Sequence, residues 1–198
     1  RGRVEAEIMR ELAGDSYKEC GQLIALSDDS KKLARLDEAA ENEVAPESVD
    51  LYDLSQDILE SLQPAAAKRS VSLHLEGEKQ TILGVWRILH EMVYNLCDNA
   101  IKYNKDGGSV TVQVTGEAER VTLAVKDTGI GIPKGQQDRV FERFYRVDKS
   151  HSRRVGGTGL GLSIVKHGAQ YHNALISLES EPDVGTTIAI VFPRNMRP

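Results

Sequence analysis

Cysteine is scarce in this chain: Cys20 and Cys97 are the only two, far apart and outside any Cys-x-x-Cys pair or metal-ligand spacing. That pattern gives no disulfide framework and no thiolate metal centre, and it predicts two reduced, buried thiols inside helical stretches. No apolar run reaches membrane-spanning length, and no charged-then-apolar leader opens the sequence. The piece is therefore expected to be soluble and cytoplasmic, with no membrane insertion of its own, although a membrane-anchored parent is compatible with it. Basic charge is not in excess: 30 acidic against 25 basic residues leave a net charge of −5, which argues against a general nucleic-acid partner. Any phosphate affinity has to be local. Internal repeats and low-complexity segments are absent, and 198 residues suffice for one well-buried domain with an appendage.

Proline is missing from residues 3–43, where charges are dense and Leu12, Leu23, Leu26, Leu33 and Leu36 recur at helical spacings. This predicts one long N-terminal helix, on the order of 60 Å if unbroken. Ser16, Glu19, Ser27, Ser30 and Asp37 interrupt its apolar seam. Ala45-Pro46 ends the pattern, placing a linker near residues 43–48 and dividing the chain into residues 1–44 and 45–198. Ser48 or Asp50 can cap a second helix with Leu51, Leu54, Ile58 and Leu62 on one face. The period then becomes two: Val71, Leu73 and Leu75 alternate with Ser72, an outward His74 and Glu76. A helix over about 85–102 follows, with Trp86, Leu89, Val93, Leu96 and Ala100 as its apolar side. Val110–Val114 and Val121–Val125 read as an antiparallel hairpin across residues 116–120. A helix over about 158–172 and two strands near 174–179 and 186–192 complete the chain. The fold class expected is an α/β (α+β) two-layer sandwich: a mixed, mostly antiparallel sheet covered by helices on one face, preceded by the long helix.

Two glycine-rich stretches stand out, Asp127-Thr-Gly-Ile-Gly-Ile-Pro133 and Gly156-Gly-Thr-Gly-Leu-Gly-Leu162, flanking Phe141-Glu-Arg-Phe-Tyr-Arg-Val-Asp148. Glycine lets backbone N–H groups approach an anion, and the second stretch runs into a helical pattern whose N-terminus favours negative charge. A nucleotide is the leading ligand. On the helix of 85–102, Glu91, Asn95, Asn99 and Lys102 stand at offsets of four, four and three, so all can face one ligand. A solvated helix face is the bland alternative, and for a lone Glu or Lys the better one. Two asparagines one turn apart are poor helix formers without charge, and make more sense as ligands of a hard cation such as Mg²⁺. Lys102 would then meet phosphate, and the Tyr103 ring offers a surface for a base.

The string Glu91-Met-Val-Tyr-Asn95-Leu-Cys-Asp-Asn99-Ala-Ile-Lys102-Tyr103-Asn104 resembles the N box of sensor histidine kinases. Asp127–Pro133 resembles their G1 box, Phe141–Asp148 their F box and Gly156–Leu162 their G2 box, in that order. The resemblance covers about residues 45–195 and implies the Bergerat ATP-binding fold shared with gyrase. It implies ATP and Mg²⁺ as cofactors, with Asn95 and Asn99 holding the metal and phosphates, Lys102 on phosphate and Tyr103 near adenine. Asp127 would read the base, with Gly129 and Gly131 bringing the backbone close; Asp-Thr-Gly after a strand is otherwise an ordinary turn. Residues 141–157 resemble the mobile lid, anchored by Phe141 and Phe144, with Arg146 reaching the γ-phosphate. Arg143, Arg153 and Arg154 either assist or are solvated. Gly157, Gly159 and Gly161 would shape the phosphate loop, with Leu160 offering its N–H and Ile132 and Thr158 lining the nucleotide. Glu91 lies near a position proposed as a general base in some relatives. Matching Asp98-Asn99-Ala100 to the gyrase-type pattern instead puts Asn95 at the base position, so weak hydrolysis is expected, which suits a kinase. Asn95, Lys102 and Arg146 are the catalytic expectations.

No phosphoacceptor pattern of the sensor kinases, His-Glu or His-Asp followed by proline, occurs here: His90-Glu91 falls inside the N-box helix with no proline after it. His74, His151, His167 and His172 are expected to have bland roles. Residues 1–44 resemble the second helix of the dimerisation hairpin, so the chain reads as a fragment without its acceptor histidine. The partners implied are ATP, that histidine-containing hairpin and a response regulator, the parent being a homodimer. The polar seam predicts that this chain alone is monomeric or self-associates weakly. Intact Asn99, Asp127 and Gly159 argue against a non-catalytic nucleotide-binding regulatory module, the hairpin-helix resemblance disfavours an anti-sigma-type serine kinase, and the F box, Lys102-Tyr103 and the absent water-activating glutamate disfavour a gyrase-like or chaperone ATPase.

Overall fold

The structure, a computed structural model, describes residues 45–147 and 157–194 together with isolated positions between Ala13 and Lys31. Those isolated positions are helical and exposed, Cys20 among them. The expected long helix of residues 3–43 otherwise lies outside the described residues. Cys20 was expected to be buried and is not, because no described element covers it; Cys97 is buried as expected.

Chain order gives β1 (Glu47–Asp50), α1 (Leu51–Ala67), β2 (Ser72–Gly77), β3 (Thr81–Gly84), α2 (Trp86–Lys102), β4 (Ser109–Gly116) and β5 (Arg120–Asp127). A short 3₁₀ turn (Lys134–Gln136), α3 (Gly161–Tyr171), β6 (Leu175–Glu181) and β7 (Gly185–Pro193) follow. The main sheet has the order β2-β4-β5-β7-β6; β2 and β4 run parallel, and the other neighbours are antiparallel. The mixed, mostly antiparallel sheet is thus as expected, with α1, α2 and α3 supplying the helical layer. The two-stranded antiparallel ribbon of β1 and β3 puts residues 47 and 48, read as the end of the linker, into a strand and adds a strand at Thr81–Gly84. Four-residue strands carry too little periodicity to be seen in sequence.

Local chemistry accounts for the helices. Asp50, one of the two expected caps, opens α1 by accepting from Tyr52 N at 2.8 Å and Asp53 N at 3.1 Å. Leu51, Leu54, Ile58, Leu59, Leu62 and Ala66 then bury one face. Helix α2 has no side-chain cap. Instead the Val85 N–H donates to His172 Nε2 at 3.1 Å, while His172 Nδ1 lies 2.8 Å from the Gly168 carbonyl at the end of α3. The imidazole is therefore neutral with its proton on Nδ1, since only that tautomer donates to one partner and accepts from the other. Trp86, expected in the apolar side of α2, is 47% exposed. It opens the helix beyond the sheet's cover, with its ring centroid 5.0 Å from that of His90. The buried arc proper holds Ile88, Leu89, Met92, Val93, Leu96, Cys97, Ala100 and Ile101. Each large apolar side chain there contributes about 1.5–3 kcal/mol on burial. Helix α3 comes close across Gly168, where a Cβ would stand 2.4 Å from Met92 Sδ. His74 is exposed, as its strand period required. Among the described residues no helix is long and apolar enough to cross a membrane.

Burial holds the His172 imidazole below its ordinary value of 6.5, partly offset by the Gly168 carbonyl. The unfolded chain therefore takes up the proton first as pH falls. The stabilisation is complete above pH 6.5 and is lost as pH drops through the folded-state value. His172→Phe, which leaves the Val85 N–H without its acceptor, should lower stability by about 2 kcal/mol at pH 7.5. Urea unfolding at pH 7.5 and 5 checks this, with the difference from the parent expected to shrink at pH 5.

Candidate functional site

The sheet, α1 and α3 take up more than half the circumference of α2, so its polar residues share one direction. Glu91, Asn95, Asn99 and Lys102 are each half-buried along it. Asn95 Nδ2 donates to the Glu91 carbonyl at 2.7 Å, which turns Oδ1 toward the start of α3. A Cβ on Gly161 would stand 2.9 Å from Asn95 Oδ1 and 3.2 Å from Asn99 Nδ2. Glycine at 161 thus keeps the space before the two amides open, and no side chain caps α3 there. An uncapped helix N-terminus beside two amides suits an anion with its cation. Lys102 Nζ lies 2.7 Å from Asp98 Oδ2 in a partly exposed pair. Such a pair contributes under about 1 kcal/mol, so a phosphate can draw the ammonium away.

Tyr103 ends α2 and joins both glycine loops. Its carbonyl accepts from Ile130 N at 3.1 Å. A Cβ on Gly129 would strike that oxygen at 2.4 Å, and one on Gly157 would lie 2.9 Å from the Tyr103 hydroxyl. Asp127 ends β5 and faces the same cleft, with Oδ1 accepting from Gly129 N at 2.8 Å and Thr186 N at 3.2 Å. Among the described residues Oδ2 accepts nothing. Burial pushes the Asp127 carboxyl up from 3.8 to about 6, the Gly129 and Thr186 donors acting in the opposite direction.

The second glycine loop carries the other charged group. Gly159 has φ +78°, and a Cβ there would come within 3.0 Å of the Phe144 backbone and the Tyr145 carbonyl. Its own carbonyl accepts from Phe144 N at 2.9 Å. Phe144 itself has φ +63°, an uncommon conformation for a residue with a side chain. Two residues on, Arg146 Nε and Nη2 are buried with no partner among the described residues. Buried guanidinium nitrogens without acceptors are costly, and an anion is what they lack. Residues 148–156 of the expected lid, with Arg153 and Arg154, lie outside the described residues, as does His151.

The other expected residues fall as follows. The Leu160 N–H is bonded locally to Thr158 Oγ1 at 3.3 Å, and its side chain is buried. Gly131, with φ +66°, allows close packing under the last hairpin, where a Cβ would meet the Glu181 carbonyl at 2.1 Å. The Ile132 N–H donates to Ser180 Oγ at 2.8 Å. Both residues thus have partners within the protein as well as places in the loop. Sequence reasoning missed Thr186, whose N–H holds Asp127, and Arg69, whose guanidinium donates to the Lys102 and Asn104 carbonyls at the end of α2. It also missed Asn104 and Thr128. Asn104 Nδ2 donates to the Ala100 and Ser109 carbonyls at 3.1 and 3.0 Å, while Thr128 Oγ1 accepts from Ser109 N at 2.9 Å. Asn104 and Thr128 stood inside the quoted motif strings and Thr186 at the start of the last expected strand, but none of these signals assigned a role, and Arg69 gave none.

Helices on one face of a mixed sheet, with two glycine loops against an asparagine-bearing helix, define a nucleotide-binding domain. The profile of histidine kinase-, DNA gyrase B- and HSP90-like ATPases matches residues 84–196. The chain belongs to this family, and the matching part is the ATP-binding catalytic domain of the sensor histidine kinase type. Over 190 residues it is 35% identical to the sensor-like histidine kinase SenX3 of Mycolicibacterium smegmatis, covering 96% of this chain and 49% of that protein. Over 105 residues it is 47% identical to the sensor histidine kinase WalK of Bacillus subtilis, covering 52% of this chain and 17% of that protein. Among solved structures, the mycobacterial sensor histidine kinase MprB matches with a TM-score of 0.66 at 28% identity, over 77% of this chain and 99% of that one. Full-length ShkA in complex with AMPPNP matches with a TM-score of 0.75 at 26% identity, over 89% of this chain and 37% of that one. The chain spans about half or less of the length of these curated relatives.

The raised Asp127 value has a consequence for stability that is independent of any ligand. The folded state takes up the proton first, so the stabilisation is complete below pH 3.8 and is lost as pH rises through about 6. Asp127→Asn, which keeps an acceptor for Gly129 and Thr186 without the charge, should raise stability at pH 7.5 by on the order of 2 kcal/mol. Chemical denaturation across pH checks the expectation that this gain shrinks toward zero as pH falls below 5.

Proposed function

We propose that this chain transfers the γ-phosphoryl of Mg-ATP to a histidine on a helical hairpin of its parent sensor kinase, which signals onward to a response regulator in the cytoplasm. The observation that carries the proposal is the meeting of Gly161 with Asn95 and Asn99, which sets the phosphate loop against the amides. The residues fit the group. Asn95 and Asn99 would hold Mg²⁺, Lys102 would leave Asp98 for a phosphate oxygen, and the orphaned Arg146 guanidinium would take the γ-phosphate. When bound, the metal would neutralise charge on the phosphates.

The chain's own residues position and stabilise rather than form covalent bonds. Asp127 Oδ2 would accept from the adenine amino group, with Gly129, Gly131, Ile132 and Tyr103 lining the base. Gly157, Thr158, Gly159 and Leu160 would wrap the phosphates. A half-buried amide, Asn95, occupies the place where a water-activating carboxylate would sit, so ATP is kept for the acceptor instead of being hydrolysed. Residues 1–44 would form part of the hairpin, the remainder belonging to the parent, a homodimer. The complex of ShkA with AMPPNP supports a nucleotide in this cleft.

Calorimetric titration of a non-hydrolysable ATP analogue with Mg²⁺ into the chain should give micromolar binding. Asn99→Ala and Asp127→Ala should each weaken it at least tenfold, about 1.4 kcal/mol. Affinity should also fall as pH drops through about 6, where Asp127 takes up its proton. The parent hairpin supplied in trans should then acquire phosphohistidine. Absence of nucleotide binding would instead favour a non-catalytic regulatory module.

A further inference from the structure

The 3₁₀ turn after the first glycine loop makes contacts that the nucleotide reading does not use. Tyr145 Oη donates to Gln136 Oε1 at 2.7 Å, and the Arg139 guanidinium carbon stands 4.3 Å over the Tyr145 ring centroid. Gln136 is half-buried and closes the turn by donating its N–H to the Pro133 carbonyl at 2.8 Å. Its neighbour Gln137 fastens the turn to the rest of the protein: Nε2 donates to the Ile132 carbonyl at 2.9 Å and the Ser180 carbonyl at 2.8 Å. Ser180 Oγ lies 2.9 Å from Thr186 Oγ1, and the Thr186 N–H holds Asp127. A continuous set of bonds thus runs from the Asp127 carboxylate to the ring of Tyr145. The next residue in the chain is Arg146.

We infer that Tyr145 and Gln136 are positioning residues that set the Arg146 guanidinium for the terminal phosphate, so that this chain distinguishes a nucleoside triphosphate from a diphosphate. The inference rests on the nucleotide reading above. Its physical basis is that segment 144–146 is held from two sides. On one side Phe144 N donates to the Gly159 carbonyl, and Gly159 leaves no room for a Cβ against Phe144 and Tyr145. On the other side the Tyr145 ring is pinned between Arg139 and Gln136. With the two preceding residues fixed, the backbone that leads into Arg146 is held, and its Nε and Nη2 are presented buried and, among the described residues, unbonded. A guanidinium held in place before its anion arrives loses less entropy on binding than one on a free chain. Arg139 also approaches Glu142, Nε to Oε1 at 3.4 Å, which steadies the cation above the ring.

The test is a paired titration of AMP-PNP and ADP, both with Mg²⁺, into the full chain and its variants. Tyr145→Phe keeps the ring and removes the hydroxyl; Gln136→Leu removes the acceptor; Gln136→Glu keeps it. Tyr145→Phe and Gln136→Leu should each weaken AMP-PNP about fivefold, the loss of one ordinary hydrogen bond, and leave ADP within about twofold. Gln136→Glu should retain the parent's ratio of the two affinities. In an Arg146→Ala background the Tyr145→Phe change should have no further effect on that ratio. A structural role alone would weaken both nucleotides together. The inference is overturned if the two substitutions lower both affinities equally or neither, if they act unchanged without Arg146, or if Arg146→Ala keeps the parent's ratio. A parent chain that binds neither nucleotide overturns the nucleotide reading and this inference with it, so the two failures are told apart by the parent alone.

Discussion

Burial of α2 is the constraint on which the site depends. Its apolar residues cover so much of the helix surface that rotation about its axis would drive Asn95 and Asn99 into the core or Leu89 and Met92 into water. Either displacement forfeits several kcal/mol. The angular position of the two amides is therefore fixed by residues that never touch a ligand. The position along the axis is fixed at both ends, by His172 on the Val85 N–H and by Arg69 on the carbonyls after Lys102. An arginine there also meets the negative end of the helix dipole. A rigid polar row can then face a loop whose glycines come as close as their missing side chains allow.

Those glycines divide into two kinds. Gly129 and Gly161 sit where a Cβ would fill the space around Tyr103 and the two amides, so they define the cleft. Gly131 and Gly185 are needed for packing between strands: at Gly185, with φ +140°, a Cβ would strike the Asp127 carbonyl at 2.0 Å. That second contact lets the last hairpin lie against the end of β5, and so brings the Thr186 N–H to Asp127. A glycine with no place at the ligand thereby determines which oxygen of Asp127 remains open.

The layered sheet, the three helices and the hairpins were legible because each is long enough to show its period. The order of four motifs was enough to read the family. Three features were not legible, and each for a physical reason. β1 and β3 have four residues apiece and are held by pairing with each other, a non-local fact. Trp86 looks like core by type but is the first residue of α2, beyond the sheet's cover, and is 47% exposed while Ile88 and Leu89 in the same turn are buried. His172 reads as an ordinary polar residue on a helix, and becomes a buried structural group only because α3 crosses the start of α2. At the site, side chains on one helix face or beside glycine could be named in advance. Thr186 and Arg69 could not, since each meets a partner far away in the chain, and Asn104 could not, since its amide braces backbone carbonyls on either side of a turn.

Among the described residues two half-buried groups of opposite charge are left with open positions, Asp127 Oδ2 and the Arg146 guanidinium. They do not pair with each other. Asp127 lies at the end of β5 against the last hairpin, whereas Arg146 follows Phe144 and Tyr145, which pack against Gly159 in the loop that begins α3. A single small ion would satisfy only one of them. A ligand that satisfies both must carry a hydrogen-bond donor at one end and an anion at the other. Adenine with a polyphosphate tail has that polarity. Burial disfavours the Asp127 carboxylate and leaves Arg146 without an acceptor, so the folded chain without ligand holds both groups at a free-energy disadvantage. In the reading proposed above, one nucleotide would relieve both at once. The stability forgone at these two groups would then be returned as affinity for a ligand of the right polarity, and a ligand lacking either end would recover only part of it.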